Sequence, residues 1–364
     1  MTTSAKTALL AIAGGGTALL VFFAVFFFLF QKPADFENPH DPRGDAHWKL
    51  SFMRRMAAND AYEFDTHDTH PTRGWTPKPG ARIDGPEPLT INAKGFRSRQ
   101  EYVFQPDKYR VMVVGESFTY GLEVGDGVEW PAVLQELDDR MQVVNLAVPG
   151  YGTDQILITL RESINEYRPH LVIMALTHDD FSRSLLTFRE YKKPRFMMDG
   201  TGTLTLTNTP VGGLEETYQS LLSEYGGPGS EKLATEDAAL RARLKSGEYY
   251  REWEALNRRL LGEAVLCCRG HGAELLLVYL TAAYDVAGEG NEKLKPTPVE
   301  TAMMDTAESG EGTAYCDTRR PFVEAGGPWV RGHYKAREHQ LAASVIYKAV
   351  QERGSWKKAF PPPG

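Results

Sequence analysis

The sequence predicts an α/β domain on a parallel sheet, preceded by one N-terminal transmembrane helix. From about residue 105, short apolar runs that stop at Gly or polar residues alternate with segments of helical spacing. That alternation argues for a parallel sheet with helices on both faces and right-handed connections. The runs are apolar throughout, as in strands covered on both faces. Residues 7–30, TALLAIAGGGTALLVFFAVFFFLF, carry no charge and no Pro. As a helix they reach roughly 36 Å, enough to cross a ~30 Å hydrocarbon layer.

Composition narrows the class. The 364 residues are 42% hydrophobic and 24% charged, which excludes a disordered or collagen-like chain. A net charge of −7 argues against nucleic acid as a partner, because phosphate binding needs clustered Lys and Arg. Cys267, Cys268 and Cys316 do not make a disulfide framework, and no CxxC or Cys/His cluster suggests zinc.

The apolar run at 7–30 is too long for a secretory signal and lacks a small-x-small cleavage site, so it reads as a retained anchor. Lys6 precedes it, and Lys32 and Arg43 follow among acidic residues, so charge barely decides orientation. A five-residue leader most simply stays inside, which exports the large domain. Gly14, Gly15, Gly16 and Ala18 offer a helix-packing face, or only a tolerant anchor. In an oxidising compartment Cys316 could pair with Cys267 or Cys268; otherwise those neighbouring helix cysteines are buried small apolar residues.

Residues 33–104 are expected to form a membrane-proximal irregular region packed on the core; its 33–89 stretch, rich in Pro, His, Asp and Gly, reads as such a packed segment or as a partly mobile linker. His67, Asp68 and His70 have no further ligand at useful spacing and read as loop side chains. The domain proper is expected over 105–352. Arg110–Gly115, Val143–Leu146, Leu171–Leu176 and Ala273–Leu280 read as strands. Helices are expected over 128–140, 153–167 and 335–352. A long helix or helix pair covers 233–269, with Trp253, Leu256, Leu260, Ala264 and Cys267 on one stripe. Asp199-Gly200 and Gly202 mark a hairpin at 194–210. Residues 211–232 read as a Gly-rich loop, and 353–364 as a tail.

Ligands of open α/β sheets bind beyond the carboxyl ends of the strands. Ser117 follows the first strand at a helix start, where its hydroxyl and backbone N–H are exposed; it reads equally as a nucleophile or a helix cap. Gly150, after the second strand, lets a backbone N–H approach a ligand, or simply makes a turn. Thr177-His178-Asp179-Asp180 ends the third strand. His333 precedes the last helix and is a candidate general base for Ser117.

Four segments together resemble the SGNH (GDSL-like) hydrolase family, of the bacterial membrane-anchored type. Gly115-Glu116-Ser117 is similar to its nucleophile block, with Glu for the commoner Asp. Asn145-Leu-x-x-Pro-Gly150-Tyr-Gly-Thr153 is similar to its glycine block, and Gly332-His333-Tyr-x-Ala-x-x-His to its histidine block. Asn92-Ala-Lys-Gly95-Phe96-Arg97 resembles the lead-in of membrane-linked members. The resemblance covers about 90–350. It implies a flavodoxin-like three-layer sandwich and serine ester hydrolysis or acyl transfer, with no metal or organic cofactor. It implies Ser117 as nucleophile, His333 as base, and the backbone N–H groups of Ser117 and Gly150 as oxyanion donors.

Two positions depart from the pattern. The third donor, normally Asn, falls on Asp179, or on His178 with a one-residue shift; an ionised carboxylate repels an oxyanion. The orienting acid is expected two or three residues before His333, where Val330 and Arg331 stand. A backbone carbonyl could replace it, or a carboxylate from elsewhere, with Asp317 and Glu324 the nearest upstream. Asp179 and Arg331, of opposite sign, are candidates for an ion pair across the pocket. The sequence thus supports an exported esterase or O-acyltransferase at the bacterial inner membrane, acting on an envelope ester beside a membrane acyltransferase or envelope complex. The alternative is a weakened, binding or scaffold subunit of such a complex.

Overall fold

Five strands form the central sheet: β1 (Tyr109–Val114), β2 (Met141–Asn145), β3 (Leu171–Leu176), β4 (Glu274–Tyr279) and β5 (Thr313–Asp317). All neighbouring pairs are parallel, in the order 2-1-3-4-5. This is a doubly wound order whose switch point lies between β1 and β3. The computed structural model describes residues 43–60, 66–286, 293–326 and 332–361. The helices in chain order begin with α1 (Asp45–Ala58), α2 (Ser117–Tyr120), α3 (Trp130–Leu137), α4 (Thr153–Tyr167), α5 (His178–Arg183) and α6 (Leu214–Tyr225). They continue with α7 (Glu231–Ser246), α8 (Glu248–Gly270), α9 (Pro298–Ser309), α10 (Arg319–Ala325), α11 (Ala336–Gln351) and α12 (Gly354–Ala359).

The period of two along each strand sorts the core into two layers. Met112 and Val114, Val172 and Met174, and Leu275 and Leu277 face one way, against α4, α8 and α9. Val111 and Val113, Ile173 and Ala175, and Leu276 and Val278 face the other, against α3 and α11. Both faces are covered, so the strand sequences are apolar throughout. The three-layer α/β architecture expected from the sequence is present.

Several local expectations are corrected. The region expected to be irregular contains α1, with Phe52 and Met53 fully buried, and two short hairpins, His67–His70 with Gly74–Pro77 and Arg82–Ile83 with Leu89–Thr90. The stretch read as a Gly-rich loop contains α6; its glycines flank the helix, Gly212 and Gly213 before it and Gly226, Gly227 and Gly229 after it, while Leu221 and Tyr225 pack on Phe52 and Phe188. The 233–269 segment is a helix pair, α7 and α8, broken at Gly247 with φ +74°. The tail contains α12, whose Trp356 ring meets Tyr109 edge-on at 5.1 Å. The edge strand β5 was not anticipated, because Thr-Ala-Tyr-Cys-Asp is not an apolar run.

Arg195–Met198 pairs with Leu204–Thr207 as a hairpin. All three cysteines are free. Cys268 lies in the layer on one face of the sheet, with Cys267 packed against it, and Cys316 in the layer on the other. The sheet therefore separates the thiols whose pairing the sequence allowed. The expected membrane helix at 7–30 lies outside the described residues. Among the described residues no helix is long and apolar enough to cross a membrane.

Candidate active site

The carboxyl ends of β1, β2 and β3 converge at the switch point, and the segments singled out in the sequence lie there. Strand β1 ends at Val114 and Ser117 opens α2, with Glu116 as its N-cap. Glu116 Oε1 accepts the Phe118 N–H at 2.9 Å, so the side chain caps its own helix. Gly115 is required by close approach, because a Cβ there would stand 2.9 Å from the Ala175 carbonyl of β3. The strand-to-helix turn leaves the Ser117 N–H without an acceptor among the described residues.

Gly150 has φ +81°, a left-handed conformation that glycine adopts at no steric cost. Its N–H belongs to the same peptide as the Pro149 carbonyl, which accepts the Trp75 indole N–H at 3.0 Å. That bond fixes the peptide plane and aims the Gly150 N–H away from Trp75. The Tyr151 hydroxyl donates to the Trp75 carbonyl and ties the loop from its other side. Asn145, at the end of β2, donates from Nδ2 to the Thr119 carbonyl at 3.1 Å, joining the glycine loop to α2.

His333 Nε2 lies 2.9 Å from Ser117 Oγ, the distance a general base needs. Its ring sits 5.1 Å from Phe118, and the adjacent Tyr334 is anchored by its hydroxyl to the Thr281 carbonyl at 2.8 Å. The other ring nitrogen, Nδ1, faces Glu123 Oε1 at 3.3 Å. Glu123 Oε2 accepts Lys335 Nζ at 2.8 Å. Burial pushes the Glu123 carboxyl up, but the hydrogen bonds from Lys335 and His333 outweigh it and hold the group below the ordinary carboxylate range. The site therefore contains the chain Ser117–His333–Glu123–Lys335. With Nδ1–H donated to the carboxylate, the tautomer leaves the Nε2 lone pair toward the serine.

This acid was not among the sequence candidates. Asp317 accepts the Arg319 N–H, and Glu324 makes no side-chain hydrogen bond to His333. Val330 and Arg331 lie outside the described residues. Glu123 comes instead from the loop after α2, in a left-handed conformation with φ +71°. The loop is held by Arg97, fully buried, whose guanidinium donates to the carbonyls of Tyr120 at 2.9 Å, Gly121 at 2.5 Å and Val124 at 2.8 Å. Arg97 also pairs with Asp126 at 3.2 Å and Glu129 at 3.4 Å. The Asn92–Arg97 lead-in thus shapes the loop that presents the acid. The second histidine of the C-terminal block, His339, is structural. It accepts the Trp130 N–H at 3.1 Å, and burial, with Arg97 nearby, pushes its pKa down to about 3.

The position expected to supply a third oxyanion donor does not offer one from Asp179. The Asp179 carboxylate is about half exposed and faces Arg183 Nη2 at 3.4 Å, as an acceptor rather than a donor. Its partner is thus Arg183, while Arg331 lies outside the described residues. The His178 ring packs toward Trp253 of α8, centroids 5.8 Å apart. Arg183 Nη1 also reaches Asp180 at 2.9 Å and Glu116 Oε2 at 3.7 Å. Burial, and then the Glu116 charge, push the Asp180 carboxyl well above its ordinary range. The Ser117 hydroxyl reaches Glu116 Oε2 as well as His333. It has one proton for two acceptors, a feature the sequence did not suggest.

No family model matches the chain, and no curated protein matches it. Solved structures do. TesA is 16% identical, covering 66% of this chain and 98% of that one, with a TM-score of 0.39. A member of the lipolytic protein G-D-S-L family from Veillonella parvula is 11% identical, covering 67% and 98%, with a TM-score of 0.40. A catalytic mutant of Axe2, an acetylxylan esterase from Geobacillus stearothermophilus, is 13% identical, covering 68% and 94%, with a TM-score of 0.39.

Proposed function

We propose that the chain is a serine ester hydrolase or O-acyltransferase of the SGNH (GDSL-like) type, exported and held at the bacterial inner membrane by residues 7–30. The observation that carries the reading is the Ser117–His333–Glu123 chain at the switch point of the sheet. Ser117 Oγ attacks the ester carbonyl carbon while His333 Nε2 takes the hydroxyl proton. The tetrahedral oxyanion meets the N–H groups of Ser117 and Gly150. Collapse breaks the bond to the leaving alkoxide, which receives the proton from His333. Water, or an acceptor hydroxyl in transfer, then attacks the acyl-serine. His333 takes its proton and returns it to Ser117 Oγ. The membrane run supports an envelope glycan or lipid ester as substrate, and a membrane acyltransferase or envelope complex as partner.

The second reading is a binding or scaffold subunit on the same fold. It is favoured by the carboxylate at Asp179 and by the Glu116 carboxylate drawing on the Ser117 hydroxyl. Residues 33–364 are treated with a fluorophosphonate probe and with p-nitrophenyl acetate, beside Ser117→Ala. Labelling and hydrolysis that both vanish in the variant support the enzyme. A folded protein that neither labels nor hydrolyses favours the scaffold.

A further inference from the structure

We propose that Arg189 is a positioning residue for the Gly150 oxyanion donor, and that α1 holds it in place. The inference rests on the esterase reading above. A Cβ on Gly150 would stand 2.2 Å from Arg189 Nη1, so the guanidinium lies directly against the Gly150 Cα. The Pro149–Gly150 peptide is thus fixed from two sides: Trp75 holds its carbonyl, and Arg189 blocks the face into which Gly150 would rotate.

Arg189 does not stand there unaided. Its guanidinium lies over the Trp48 ring of α1, 4.9 Å from the centroid, and its Nη1 is 2.7 Å from Glu190 Oε1. Burial pushes the Arg189 pKa down, against the pull of Glu190, so the site costs energy to charge and needs partners. The backbone around it is pinned by α1 at three more points. Asp45 accepts the N–H groups of Thr187 at 2.9 Å and Phe188 at 3.1 Å. Phe52 meets Phe188 edge-on at 5.2 Å. Arg55 donates to the Glu190 carbonyl at 3.4 Å, where Glu190 itself has a left-handed φ of +33°. The run 187–190 is therefore bound to α1 along its length, and its one long cation is aimed at the glycine loop. Misplacing a group by about 1 Å can cost ~10²-fold in rate, so such a brace is catalytically consequential.

The test compares α1 variants of the full chain in detergent on p-nitrophenyl acetate, with kcat, KM and Tm measured for each. Trp48→Leu keeps an apolar side chain but is smaller and loses the ring face; Trp48→Phe keeps a ring face. Arg189→Gln removes the charge. Lys49→Ala loosens α1 from Tyr225 and Glu236, away from 187–190. We expect kcat to fall about tenfold or more in Trp48→Leu and Arg189→Gln, with KM within twofold. Trp48→Phe and Lys49→Ala should stay within twofold of wild type. If Trp48→Leu and Arg189→Gln keep kcat within twofold while Tm falls, or if Lys49→Ala loses as much kcat as they do, α1 is only a stabilising element and the proposal is wrong. If Arg189→Gln does not fold, the Trp48→Leu and Trp48→Phe pair decides alone. A wild type that hydrolyses nothing overturns the esterase reading first, and is distinguished from these outcomes by that baseline.

Discussion

Glu123→Ala removes the group that faces the outer nitrogen of His333, and its effect can be sized. The pair stands at 3.3 Å. A proton passed to His333 in the transition state creates a cation that Glu123 stabilises by ~1.3 kcal/mol in water-like surroundings and ~5 kcal/mol at an effective dielectric of ~20. The side chains of His333 and Glu123 are 24% and 47% exposed, so solvent screens the interaction and the lower part of that range applies. About 2 kcal/mol corresponds to a kcat loss of ~30-fold. Lost orientation of the ring adds to it, and the ~10⁴-fold effect of a buried triad acid is the upper bound. The assay is kcat and KM on p-nitrophenyl acetate between pH 5 and 9, at low salt and at 1 M NaCl. Because Lys335 and His333 hold the Glu123 carboxyl below its ordinary range, it is ionised across that window, and the deficit should persist throughout it. At 1 M salt the screening length is about 3 Å, so the wild type should fall toward the variant. A kcat within threefold of wild type at low salt would refute the assignment of Glu123 as the orienting acid.

Arg97→Ala leaves the buried Glu129 carboxylate without its cation, leaves Asp126 only Arg99 at 3.7 Å, and frees the 120–126 loop; a stability loss of about 3–5 kcal/mol is expected by urea unfolding, and an unchanged unfolding midpoint would contradict it. Asp179→Asn replaces an acceptor by a donor at the third oxyanion position, and kcat should rise roughly tenfold, against the 10²–10³-fold that a well-placed donor supplies; unchanged kcat would place residue 179 outside the oxyanion hole. Asp285 is buried, which pushes its carboxyl up to about 7 despite the Ala282 N–H and Arg319. A carboxyl raised in the fold stabilises it most below the ordinary value near 4, and that contribution is lost as pH rises toward 7. Tm should therefore decline from pH 4 to 7 in part through this group, and Asp285→Asn should flatten the decline; an identical slope in the variant would exclude Asp285 as its source.

Local chemistry was enough for four of the five sheet strands and for singling out Ser117 and His333 as candidates. The apolar runs at β1, β3 and β4 are long because both faces of each strand are covered, and a linear sequence displays that directly. Ser117, Gly150 and His333 stand at strand and helix junctions whose spacing is itself written in the chain. The segment at 211–232 misled because its end glycines mask α6, whose burial depends on Phe52 and Phe188, distant in sequence. β5 and α12 were hidden for a related reason. An edge strand and a short terminal helix gain their place from neighbours such as Leu275 and Tyr109, not from their own pattern.

Residue identity alone marked Ser117 as a candidate nucleophile, His333 as a candidate base, and position 179 as one without an amide. Only the tertiary structure brings a carboxylate, Glu123, to the outer nitrogen of His333. Glu123 is 210 residues from His333, and a carboxylate on an unremarkable loop carries no mark of its role. Its placement depends on one buried guanidinium, Arg97, gathering three carbonyls of that loop while Tyr334 anchors the histidine from the opposite side. Charges act through space, and the distance that gives this pair its meaning exists only once the chain has folded.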